Sequence, residues 1–238
     1  MAAATDSTPW IAMYHSVGDC SEDPYRITVT PDRLDRQLSW LSRRGLRGVS
    51  VSALLAAPTR AGLVGLTFDD GYADFLDHAL PVLTNHGFGA TLFVLPGRLG
   101  GDNAWDPLGP RKPLLTAAGI REAAEAGVEI GSHGLTHVDL TQADDVTLKS
   151  EIVESRALLE ELTGTPVGGF CYPYGTLDQR AVDTVRDAGY RYACAIDPGP
   201  INGPLALPRV HIGQQDTAVR LFLKHRLHRL RRRPVEGI

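Results

Sequence analysis

The chain has 238 residues and a mass of 25.7 kDa, 43% of them hydrophobic and 22% charged, which excludes low-complexity, collagen-like and disordered classes. That length suits one domain, residues 1–238, since a single core serves up to roughly 250 residues. The net charge of −4 is unevenly spread: Lys224, Arg226, Arg229, Arg231, Arg232 and Arg233 against Glu236 make the last fifteen residues +5 and leave −9 for the rest.

An acidic body argues against nucleic acid as a partner, and a basic tail over about 221–238 suits weak contact with a membrane surface. No apolar run approaches the roughly 20 residues that span a bilayer, and Met1-Ala2-Ala3-Ala4-Thr5-Asp6 lacks the basic and apolar regions of a secretory signal. The expectation is a cytoplasmic protein, peripheral to a membrane at most. Three scattered cysteines, Cys20, Cys171 and Cys194, suit reduced thiols better than a disulfide framework.

In chain order, short β-rich apolar runs alternate with helical patterns. A strand at 10–14 precedes an irregular stretch, 16–29, and a helix at 31–43 with Leu34, Leu38 and Leu41 spaced along one face behind a Thr30 cap. Next come a strand at 48–51, a short helix at 52–57, a strand at 63–68, a helix at 74–86 and a strand at 90–95. A second irregular stretch, 96–113, is rich in Gly and Pro and reads as a functional lid. Helices at 116–126, 145–162, 178–188 and 217–231 then alternate with strands at 128–131, 168–172, 192–196 and 209–212. Gly87, Gly127 and Gly189 stand where left-handed helix ends require glycine. About eight strands in a repeating β/α rhythm predict an α/β fold built of β/α units.

Polar clusters sit where predicted strands end: Tyr14-His15, Asp69-Asp70-Gly71, Ser132-His133 with His137, Tyr172-Pro173-Tyr174-Gly175, and Arg209-Val210-His211. In a barrel these ends converge on one face. Asp-Asp-Gly is also the composition of a solvated turn or a helix cap. His133 and His137 are four apart, near enough to share a metal if the segment turns, or are two unrelated loop histidines. Gly134 occupies the place where zinc proteases need a glutamate base, which disfavours that class. An Asp with two His makes a three-ligand set that leaves positions open for water and substrate, with a neighbouring Asp available as base.

Thr67-Phe68-Asp69-Asp70-Gly71, Ser132-His133 with His137, and Pro173-Tyr174-Gly175, in that order, resemble the motifs of the polysaccharide deacetylases, the NodB-homology or carbohydrate esterase family 4 enzymes. The resemblance spans roughly 10–212, and the Tyr14-His15-Ser16-Val17 and Leu207-Pro208-Arg209-Val210 segments look most like its poly-N-acetylglucosamine deacetylase subgroup. It implies a distorted (β/α) barrel, NodB-like and related to the TIM barrel, and a metal-dependent hydrolase that removes N-acetyl groups from a sugar or glycan. It further implies a divalent metal, most often Zn2+ with Co2+, Ni2+ or Mn2+ as alternatives, held by Asp70, His133 and His137. Asp69 would be the general base, and the backbone N–H of Tyr174 an oxyanion donor. His15 is the first candidate for the acid that protonates the departing amine and His211 the second. Trp105 and Tyr174 are candidate sugar contacts, and Tyr72, Asn103 and Asp106 are weighed with them. His78, His86, His225 and His228 read as structural or solvent-facing.

Two departures stand out. Cys171 occupies a place where full-motif members carry the arginine that orients the base, and Arg209 is the candidate replacement. No Asp-x-x-Asp-Trp segment marks the fourth motif. Hydrolysis of other non-peptide C–N bonds, such as cyclic amides or ureides, is the rival activity, and a binding protein without turnover is a rival of another class. The lack of a secretory signal favours a nucleotide- or lipid-linked sugar, or a glycan precursor, as substrate.

Overall fold

A computed structural model describes residues 9–196 and 199–227. Eight parallel strands form one sheet: β1 (Ile11–Tyr14), β4 (Arg47–Val49), β5 (Leu63–Phe68), β6 (Thr91–Val94), β7 (Glu129–Ser132), β8 (Gly169–Cys171), β9 (Tyr192–Cys194) and β10 (Val210–His211), in the order β10-β1-β5-β6-β7-β8-β9 with β4 also on β5. Strands covered on both faces need continuous apolar runs, and β1 and β6 are buried at every position. The segment from Pro204 to His211 bonds β9 through Leu207 and then β1 through Val210 and His211, which draws the two ends of the sheet together into the expected distorted barrel.

Helices α1 (Pro31–Ser42), α2 (Val51–Ala56), α3 (Leu80–His86), α4 (Ala117–Glu125), α5 (Asp145–Thr163), α6 (Gln179–Asp187) and α7 (Ala218–Leu227) lie between and beyond the strands. Thr30, Ser50, Thr116, Asp144 and Asp178 each accept a backbone N–H at the start of a helix, the bond that polar caps supply. Leu34, Leu38, Ile120, Ile152 and Leu159 pack from the helices against Leu66, Phe68 and Phe170 of the sheet. Inside the barrel a smaller cluster holds Ile11, Phe93, Cys171, Cys194 and Leu207. Two-residue alternation carries this inward column upward from Ile11 to His15, from Gly131 to His133 and from Leu207 to Arg209.

Three expectations need correction. The stretch 16–29 is not wholly irregular: β2 (Ser16–Val17) and β3 (Thr28–Val29) pair in parallel, each too short to show a period. The expected helix at 74–86 begins as a wide turn over Phe75–Ala79, because Pro81 has no N–H and its ring displaces the carbonyl a turn earlier. Strand 48–51 stops at Val49, and Ser50 caps a helix that already contains Val51. The last part of the expected helix at 217–231, His228 and the rest of the basic tail lie outside the described residues.

Candidate active site

Asp69 and Asp70 follow β5 directly, and the Asp69 N–H still bonds the Tyr14 carbonyl at 3.0 Å, so the ladder holds the acid pair at the rim of the barrel. Asp70 then takes φ +71°, His137 φ +71° and Tyr174 φ +59°, left-handed conformations that cost a non-glycine residue about 1 kcal/mol or more. Together they turn the Asp70, His133 and His137 side chains toward one point. The carboxylate oxygen Oδ1 of Asp70 lies 3.3 Å from His133 Nε2 and 3.4 Å from His137 Nε2, and all three groups are buried.

That oxygen has no hydrogen-bond partner among the described residues. An orphaned buried carboxylate oxygen facing two imidazole nitrogens is the pattern of three ligands aimed at a common centre. Nδ1 of His133 lies 2.9 Å from the Cys171 carbonyl, so this nitrogen carries the proton and leaves Nε2 free to ligate. The donor set fits a divalent cation of the zinc type, with room for further ligands.

The turn between the two histidines hangs on a residue that the sequence reading missed. Glu151 of α5, buried, accepts the N–H of Leu135 at 2.7 Å and of Thr136 at 2.9 Å, and the Thr136 hydroxyl as well. A signal existed: Glu151 lies on the helical face of Leu148, Ile152, Ser155 and Leu159, where a carboxylate needs a buried partner.

Asp69 lies beside that common centre and is held from within the barrel. Arg209 grips it with both arms of the guanidinium, Nη1 to Oδ1 at 2.6 Å and Nη2 to Oδ2 at 2.8 Å. Arg209 also donates to the Ala195 carbonyl and the Thr67 hydroxyl, and Nη2 lies 3.0 Å from the Cys171 sulfur. Burial alone would raise the Asp69 carboxyl; Arg209, His15 and His133 outweigh it and hold the acid below its ordinary range, hence ionised. His15 Nε2 stands 3.9 Å from Asp69 Oδ2.

The sequence pattern of the polysaccharide deacetylases matches residues 56–193, more than half of the chain. The chain belongs to the polysaccharide deacetylase family. Its relatives include YxkH of Bacillus subtilis (strain 168), 26% identical over 210 residues that cover 85% of this chain and 70% of YxkH. The poly-beta-1,6-N-acetyl-D-glucosamine N-deacetylase of Staphylococcus aureus (strain N315) is 20% identical over 210 residues, 81% of this chain and 70% of that protein. Among solved structures, the Streptococcus pyogenes deacetylase PplD in complex with acetate superposes with a TM-score of 0.78 at 25% identity, covering 92% of this chain and 98% of PplD. The deacetylase is therefore a hydrolase of the class that cleaves N-acetyl C–N bonds, on the NodB-like barrel.

In the deacetylase both acids, His15, His133, His137 and Arg209 line one pocket of about 200 Å³. Its outer wall comes from the two long loops, which are stapled together. Lys112 donates to Ser16 Oγ at 2.7 Å and Thr28 Oγ1 at 2.8 Å, and the Leu108 N–H bonds the Tyr25 hydroxyl at 3.1 Å. Trp105 lies flat on the His137 ring, centroids 4.5 Å apart, and Tyr174 meets the same ring edge-on at 4.5 Å. Both reach the pocket, together with Asp106 and with Tyr25 and Ile196, which the sequence reading did not single out.

Two expected site residues are placed differently. Tyr72 is buried at 1% exposure, with its hydroxyl 3.5 Å from Asp106, and is not among the residues that line the pocket. His211 stands behind His15, ring centroids 6.2 Å apart, and does not line the pocket. Burial, then His15 and Lys224, push its pKa down to about 4, so it is neutral near pH 7 and a poor proton donor there.

Proposed function

We propose that the deacetylase removes the acetyl group from an N-acetylated sugar, releasing acetate and a free amine, with a divalent cation held by Asp70, His133 and His137. The observation that carries this reading is the pairing of an orphaned Asp70 oxygen between two histidines with an ionised Asp69 beside it. A bound cation supplies Lewis acidity, which polarises the amide carbonyl and acidifies water.

Asp69 accepts the proton of the water that attacks the acetyl carbon, and Arg209 fixes the plane of that carboxylate. A carboxylate keeps lone pairs beyond the two that Arg209 occupies, so the fork orients the base without filling it. The Tyr174 backbone N–H, in its strained turn, donates to the oxygen that gains charge. His15, 3.9 Å from the base, gives a proton to the amine nitrogen as the C–N bond breaks. Trp105 and Tyr174 form the apolar wall against which a sugar ring packs. Zn2+ is the first expectation for the cation, because the donor set is one carboxylate and two imidazoles.

The test is acetate and free-amine release from N-acetylglucosamine oligomers before and after chelation, with zinc and cobalt restored separately. Equal amounts of both products, lost on chelation and regained with metal, support the reading. Tight metal binding without acetate release would move the substrate to other C–N bonds.

A further inference from the structure

We propose that the outer face of α7 is a docking surface for an anionic phospholipid bilayer. The helix is held to the barrel by one side: Leu221 is buried, Lys224 Nζ bonds Asp216 at 2.6 Å and the His211 carbonyl at 2.7 Å, and the His225 ring lies 4.7 Å from that of Trp10. The opposite side carries Val219, Phe222, Leu223 and Leu227, exposed at 68, 40, 47 and 36%. Steps of three and four residues join them into a stripe along the axis. Soluble chains seldom align large apolar groups in this way without an occupant.

Charge selects the occupant. Exposed Arg220 and Arg226 flank the stripe, with the Arg226 guanidinium 5.5 Å from the centre of the Phe222 ring. Between Asp216 and Glu236 the sequence contains no acid and seven Lys or Arg residues: Arg220, Lys224, Arg226, Arg229, Arg231, Arg232 and Arg233. A second copy of the chain would set arginine against arginine across the stripe, and nucleic acid would leave the apolar groups in water. A bilayer with acidic headgroups takes both, the apolar side chains at the acyl boundary and the arginines among the phosphates. Among the described residues no helix is long and apolar enough to cross a membrane, so the contact lies in the interface plane.

Full-length protein is sedimented with vesicles of phosphatidylcholine alone and of phosphatidylcholine with one third phosphatidylserine, at low and high salt. Binding is expected on the anionic vesicles only and weakens with salt. Phe222→Ser with Leu223→Ser, and separately Arg220→Glu with Arg226→Glu, lower the partition coefficient by about tenfold or more, since each cation near an anionic leaflet is worth roughly fivefold. Thermal unfolding of each variant matches the parent protein and shows that the fold is intact. Equal binding to neutral vesicles, no vesicle binding at all, or self-association abolished by the Phe222/Leu223 changes would each overturn the proposal.

Discussion

Arg209 and Asp69, 140 residues apart in sequence, meet as a two-pronged ion pair inside the barrel, with both carboxylate oxygens within 2.8 Å of guanidinium nitrogens. The pair stands where the sheet closes, because the segment that carries Arg209 bonds β9 on one side and β1 on the other. Closure of the fold and orientation of the proposed base thus depend on the same short stretch of chain.

Removing the arginine leaves a buried carboxylate unpaired, which costs about 3–5 kcal/mol. Arg209→Ala is expected to lower the melting temperature and to reduce kcat by about a hundredfold or more, with metal content retained. Arg209→Lys falls between, because an ammonium cannot span both oxygens. Steady-state kinetics alongside metal analysis decides; unchanged kcat and unchanged metal content would remove Arg209 from the account.

Glu151 touches no proposed ligand, yet it ties down the turn between two of them. Glu151→Gln replaces one acceptor oxygen by a donor facing N–H groups, and metal affinity is expected to drop about 10- to 100-fold. Chelator competition reads the affinity directly, and excess metal restores turnover in the variant. Weaker turnover that excess metal does not restore would assign Glu151 to stability alone.

The two candidate acids separate by position. His15→Ala is expected to cut kcat by about a hundredfold or more, while His211→Ala, outside the pocket and neutral near pH 7, changes it by about threefold or less. The opposite pattern would return the role to His211.

Much of this was legible in the chain because adjacent acids before glycine and two histidines four apart keep their signal at any fold. Strand ends were legible for a related reason, since apolar runs covered on both faces stop abruptly at polar residues. Arg209 was legible only through a gap, the cysteine at 171, and its fork with Asp69 needed the three-dimensional closure. Glu151 was passed over because a lone glutamate on a long helix reads as solvated, and only its place on the face of Leu148, Ile152, Ser155 and Leu159 marks it as buried. The burial of Tyr72 was not legible either, since nothing in the residues that follow the acid pair shows that the chain turns the ring inward. Strands β2 and β3, two residues each, offer no period to detect.

The most direct test of the central claim is single-turnover acetate release by Asp69→Asn at saturating metal, compared with the parent protein. A loss of about a thousandfold or more is expected with metal content and substrate affinity preserved, because Asp69 is not one of the three proposed ligands; the variant also gives up one prong of the Arg209 fork, so its melting temperature falls as well. Turnover within about tenfold of the parent would contradict it and would place the base elsewhere in the pocket.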